Sequence, residues 1–226
     1  MLEQILTYER SLFLALHGHH TPFWDEFFWL HSGFIVWLPV AAFLLFAVAY
    51  RQPVREVLLV ILAVALLILV CDQFTSGFAK PFFHRFRPTH HPDFENLILT
   101  VHDYRGGLYG FISGHACNSF GVAMFFTLLF RNRLFAWSAM AWATLNAYSR
   151  IYLGVHFISD IIAGTVCGLL FGYGIYYAYR WLRGRWLGKE AVQPPQQNRF
   201  PARIRQTCYI LYATYVFLFI YAAVKA

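Results

Sequence analysis

Two histidines, His115 in "ISGHA" and His156 in "SRIYLGVHFISD", stand where apolar segments begin, and Lys80, Arg87 and Arg150 occupy similar edges. Ionisable groups at membrane depth are costly, so the default reading of such residues is a functional site. Three cations with two imidazoles suggest a phosphate pocket, in which the cations hold the oxygens and the imidazoles exchange protons or attack phosphorus.

The residues fall into three clusters. In "KPFFHRFRP", Lys80 offers a compact charge and Arg87 a planar fork that grips two phosphate oxygens. Pro81 and Pro88 follow the two cations and disfavour helix there, as suits a chain leaving the membrane and folding over its mouth. Snorkelling anchors are the alternative for such basic residues. In "GFISGHACNSF", Ser113 is a good helix cap. The free N–H groups of a helix start bind anions, so Ser113 and Gly114 could hold phosphate while His115 reaches its ester oxygen. A capped helix with an interfacial histidine is the plainer reading. In the third cluster Asp160 lies one turn after His156, close enough to bond one imidazole nitrogen and make the other a better nucleophile. Arg150 would add a further clamp, or the His–Asp pair could simply lock two helices.

The elements that position these residues are membrane helices. A chain of 226 residues with 59% hydrophobic and 13% charged residues and a mean hydropathy of +0.49 cannot make an ordinary soluble surface. The expected fold is all-α: a polytopic membrane bundle of about six transmembrane helices plus an N-terminal interfacial helix, forming one domain over 1–226. The interfacial helix takes residues 1–22, where acidic residues and the lack of a clear cleavage site argue against a cleavable signal peptide. Spans are expected near 27–49, 56–79, 114–130, 134–151, 156–181 and 206–224, with Pro39 kinking the first. An extracytoplasmic loop covers 80–113 and a cytoplasmic linker 182–205. Four span ends then meet at one membrane edge and bring the three clusters together.

Eleven of the eighteen Lys and Arg residues lie in the loops at 50–55, 131–133 and 180–205, which places that face in the cytoplasm and the motifs on the periplasmic side of a bacterial inner membrane. The net charge of +7 therefore reports membrane anchoring, and no nucleic acid partner is expected. Cys71, Cys117, Cys167 and Cys208 show no paired spacing and read as buried small residues. Gly164, Gly168 and Gly172 have the spacing that lets a neighbouring helix approach closely, with dimer contact as a less favoured use; the oligomeric state is left open.

Taken in order, "K-x6-RP", "SGH" and "SR-x5-H-x3-D" resemble the tripartite signature of the type 2 phosphatidic acid phosphatase superfamily. The motifs cover about residues 72–165, and the six-span layout extends the likeness along most of the chain. The resemblance implies phosphate binding by Lys80, Arg87, Ser113, Gly114 and Arg150, acid catalysis by His115, nucleophilic attack by His156 and orientation of His156 by Asp160, through a phosphohistidine intermediate and with no cofactor or metal. Ile112 stands where the family commonly has proline. The expected substrate is an envelope lipid phosphate at the outer leaflet, with undecaprenyl diphosphate slightly ahead of lipid A, and phosphatidylglycerophosphate and phosphatidate behind them.

Two rival classes bear on the same residues. His115, His156 and Asp160 could form a two-histidine, one-carboxylate metal set, but a divalent cation would be repelled by Lys80, Arg87 and Arg150. A transporter with an intramembrane charged pathway draws some support from Asp72, which could equally pair with Lys80 or Arg87 or pack structurally. The loop from Thr89 to Phe111 is long enough to cover the pocket, and its His90, Asp93, Glu95, His102, Asp103 and Arg105 could read a headgroup.

Overall fold

The structure, a computed structural model, describes residues 2–92, 94–187 and 201–226. These residues are helical apart from loops and one isolated β-bridge between Phe86 and Tyr109. In chain order the helices are α1 (Leu2–His17), α2 (Pro22–Ser32), α3 (Leu38–Ala49), α4 (Val54–Asp72), α5 (Lys80–Phe83), α6 (Gly114–Phe130), α7 (Arg133–Tyr152), α8 (Ile158–Leu187) and α9 (Pro201–Lys225).

Among the described residues, three helical stretches are long and apolar enough to cross a membrane: Val54–Phe83, Ile158–Trp186 and Arg203–Lys225. The bent pair α2 and α3 makes a fourth if it counts as one span. The expected first span is thus broken. Its 68° bend falls at Gly33 and Phe34 and not at Pro39, which occupies the first turn of α3, where a missing N–H costs no helical hydrogen bond. The expectation that Pro81 ends the second helix also fails. A π-helical segment, Gln73–Ala79, widens the turn just before it and joins α4 to α5, so the helix runs on until His84 turns left-handed at φ +48°. The loop therefore starts at 84, and α8 continues to Leu187, into the stretch expected to be linker.

The tightest packing joins α6 to α8, and it depends on the three glycines. A Cβ on Gly164, Gly168 or Gly172 would lie 2.5, 2.3 or 2.4 Å from the carbonyl oxygens of Ser113, Cys117 and Gly121, so hydrogen alone fits there. Residues of α4, α6, α7, α8 and α9, among them Leu67, Phe125 and Tyr176, form the main apolar core. Away from the α6 and α8 N-termini, Arg183 Nε donates to both oxygens of buried Glu56 at 2.8 Å, and Tyr179 donates to the same carboxylate. This pair fastens α4 to α8, so Arg183 is a buried partner and not one of the solvated anchors expected from its charge.

Candidate active site

Helices α6 and α8 begin side by side because their glycine seam starts at those ends. The Ser113 N–H donates to the Asp160 carbonyl at 3.1 Å, and the Ser113 hydroxyl caps α6 by accepting from Ala116 N–H at 3.4 Å. Thus the "SGH" and "H-x3-D" segments are joined directly through backbone.

His156 sits in the short turn between α7 and α8, 2% exposed. Its Nδ1 donates to Asp160 Oδ2 at 3.3 Å, which fixes the tautomer and leaves the lone pair on Nε2. Arg87 Nη1 lies 3.1 Å from that Nε2 and also donates to the Val155 carbonyl at 3.0 Å, while Arg87 Nε donates to the Tyr109 carbonyl at 3.2 Å. Burial, and then the charges of Arg87, Arg150 and Lys80, hold the His156 imidazole well below its ordinary pKa of 6.5. It is neutral and available for attack.

Asp160 is completely buried and tied on both oxygens. Oδ2 also accepts from Phe157 N–H at 3.0 Å, and Oδ1 accepts from Arg85 Nη1 at 2.7 Å. Arg85 in turn donates to Glu9 Oε2 at 2.7 Å, and Glu9 Oε1 accepts from the Ser159 N–H at 2.8 Å and its hydroxyl at 2.6 Å. Glu9 therefore places a carboxylate on the positive end of α8 and holds the arginine that holds Asp160.

The other cations close round this pair. Arg150, 2% exposed, donates from Nη2 to the Tyr104 hydroxyl at 3.0 Å and lies over its ring. Lys80 Nζ donates to Ser76 Oγ at 2.9 Å and would sit 4.0 Å from a Cβ placed on Gly114. His115 lies within electrostatic reach of Lys80, Arg87, Arg150 and His156. It also lines one part of an apolar cleft of about 460 Å³ bordered by Trp37, Val122, Phe126, Ala139 and Leu211. The structure thus gathers all eight residues singled out in the sequence around one place.

The model of the PAP2 superfamily matches residues 56–184, more than half of the chain. The chain belongs to the PAP2 superfamily. Among curated relatives, the lipid A 4′-phosphatase of Porphyromonas gingivalis is 47% identical over 86% of this chain and 82% of its own length. That of Bacteroides thetaiotaomicron is 35% identical over 82% of this chain and 83% of its own. Two solved structures share the fold: the PAP2-type phosphatidylglycerolphosphate phosphatase of Bacillus subtilis, with TM-score 0.55 and 18% identity over 81% of this chain and 88% of that one, and LpxE of Aquifex aeolicus, with TM-score 0.53 and 22% identity over 74% and 93%.

Within this candidate site, sequence reasoning missed Glu9, Arg85 and Tyr104. Glu9 showed only as an interruption in an apolar pattern, and Arg85 as one more loop cation, because their partners are distant in sequence. Several loop residues expected to read a headgroup instead bind the protein. Arg105 pairs with Glu95 at 2.7 Å, His102 with Glu26 at 3.1 Å, and His90 Nε2 approaches the Gly106 carbonyl at 3.3 Å. Asp103 adopts φ +56°, and Asp93 lies outside the described residues. Asp72 accepts from Asn118 at 2.8 Å, a link between α4 and α6, and forms no hydrogen bond to Lys80 or Arg87.

Proposed function

We propose that the protein removes the 4′-phosphate of lipid A at the periplasmic face of the inner membrane, through a phosphohistidine on His156. That it is a phosphoric ester hydrolase follows from its family. The observation that carries the mechanism is the chain from Asp160 through His156 Nδ1 to a free Nε2 that already meets Arg87. The two relatives supply the lipid, and the apolar cleft beside His115 supports a substrate with acyl tails.

In the first step the Nε2 lone pair forms the N–P bond, and the P–O bond to the sugar breaks. Arg87 turns its N–H from Nε2 to a phosphate oxygen and, with Lys80, Arg150 and the N–H groups at the start of α6, stabilises the developing charge. His115, whose proton is favoured by the arriving dianion, gives that proton to the leaving sugar oxygen. In the second step His115 takes a proton from water, the water oxygen bonds to phosphorus, and the N–P bond breaks to release phosphate and neutral His156. The cations that suit a phosphate would repel a divalent metal, which supports a metal-independent reaction. The placement of Arg51, Arg55, Arg131, Arg133, Arg180 and Arg185 at the ends of α4, α6, α7 and α8 away from the site supports the periplasmic orientation.

The test is hydrolysis by purified protein in detergent of lipid A, undecaprenyl diphosphate, phosphatidylglycerophosphate and phosphatidate, with phosphate release and product mass as readouts. Lipid A is expected to lose one phosphate, at the 4′ position, at least tenfold faster than the others react. Rapid quench should trap acid-labile phosphate in wild type and none in His156→Ala. Preference for another lipid would overturn the substrate, and labile phosphate persisting in His156→Ala would overturn the nucleophile.

A further inference from the structure

Thr75 belongs to none of the three motifs, yet it reaches the same place as they do. Its side chain is completely buried, and its hydroxyl oxygen has no hydrogen-bond partner. Three other helical threonines satisfy their hydroxyls locally: Thr144, Thr207 and Thr214 each donate to the carbonyl four residues back, at 2.9, 3.1 and 2.9 Å. Thr75 points elsewhere. A Cβ placed on Gly114 would lie 3.2 Å from Thr75 Oγ1 and 4.0 Å from Lys80 Nζ, so hydroxyl and ammonium converge on the first residue of α6.

The local backbone explains the convergence. Residues Gln73–Ala79 are π-helical, and the Lys80 N–H donates to the Thr75 carbonyl five residues back. In an α-helix residues five apart diverge by more than a third of a turn, whereas the wider π turn brings them nearly onto one face. The segment therefore aims Thr75 and Lys80 together at the helix start where N–H groups lack intrahelical acceptors. A buried hydroxyl left unpaired is costly, and an anion there would satisfy it.

We infer that Thr75 is a further phosphate-binding residue, its hydroxyl donating to a non-bridging oxygen of the phosphoryl group held by Lys80 and the start of α6. This rests on the phosphatase reading above and deepens it. The hydroxyl is oriented before substrate arrives, so it contributes to binding of ester and free phosphate alike.

The experiment compares wild type, Thr75→Val, Thr75→Ser and the control Thr127→Val, which removes another buried, unpartnered hydroxyl near the far end of α6. Each is measured for lipid A hydrolysis, competitive inhibition by inorganic phosphate and melting temperature in detergent. Thr75→Val keeps the shape and is expected to raise both KM and the phosphate inhibition constant by about tenfold, the loss of one hydrogen bond to a charged group. Its kcat should change less than threefold and its melting temperature should not fall. Thr75→Ser should restore phosphate affinity to within about threefold, and Thr127→Val should match wild type. Unchanged phosphate inhibition in Thr75→Val, or a loss in Thr75→Ser as large as in Thr75→Val, would overturn the assignment while leaving the phosphatase intact. A folded Thr75→Ala that binds phosphate like wild type would do the same if the valine variant did not fold. Wild type that neither hydrolyses lipid A nor binds phosphate would overturn the phosphatase reading itself, and this inference with it.

Discussion

A histidine can attack phosphorus only while its ring is uncharged, and His156 is kept so by burial and by the guanidinium groups of Arg87 and Arg150. The same arrangement makes fold stability depend on pH. In the unfolded chain His156 takes up a proton near 6.5, whereas in the folded protein its pKa is lower, so below 6.5 the unfolded state binds more protons. The stabilising contribution of neutral His156 is fully present above 6.5 and drains away as pH falls below that value towards the folded pKa. Melting temperatures of wild type and His156→Gln, taken in detergent from pH 7.5 to 5, should therefore diverge in slope: wild type declines more steeply on the acid side. Parallel curves would mean that the ring titrates alike in the folded and unfolded protein, so that its surroundings do not hold it neutral. Asp160 contributes by geometry, since its two oxygens are divided between His156 and Arg85.

At the level of elements, the site exists because two helices start together, and the seam that brings them together is glycine at Gly164, Gly168 and Gly172 on the α8 side. Alanine at Gly168 would put a carbon 2.3 Å from the Cys117 carbonyl oxygen, so α6 and α8 must separate. Misplacement of about an ångström at reacting groups costs up to about a hundredfold in rate. Gly168→Ala is expected to lose at least about tenfold in kcat/KM and several degrees in melting temperature, whereas Gly174→Ala, with nothing within 4 Å, should keep wild-type activity and melt no lower. Equal behaviour of the two variants would show that the seam does not set the site. This seam was legible in the sequence as a spacing of small residues, as were the four helix ends, because motif order and apolar runs are local patterns. The break at Gly33 and Phe34 was legible only as the short interruption His31-Ser32-Gly33, which the apolar residues on both sides merged into one expected span. The helix through Pro81 was not legible, because a π-helical segment has no composition of its own. Glu9, Arg85 and Arg183 gained their roles from partners 75 to 150 residues away, which only tertiary packing supplies.

Seen as a whole, the molecule joins a polar end to an apolar cleft, and His115 borders both. The cleft of about 460 Å³ runs between α3, α6, α7 and α9, reaching from His115 past Val122 and Phe126 to Leu211. A lipid whose phosphate lies against His156 has its tails directed towards these walls, where apolar burial adds affinity in proportion to the area covered. A soluble ester would use the polar end alone. Tryptophan in place of Ala139, on the α7 wall, would fill part of the cleft, and Ala139 is itself no residue of the phosphate cradle. Ala139→Trp is accordingly expected to lower kcat/KM for lipid A by at least about tenfold while leaving hydrolysis of p-nitrophenyl phosphate within about threefold, since uniform binding energy from remote substrate parts is lost only where those parts exist. Parallel loss on both substrates would mean that the bulky residue distorts the bundle. Unchanged lipid A turnover would place the tails in the surrounding bilayer, leaving the phosphate cradle as the sole determinant of binding.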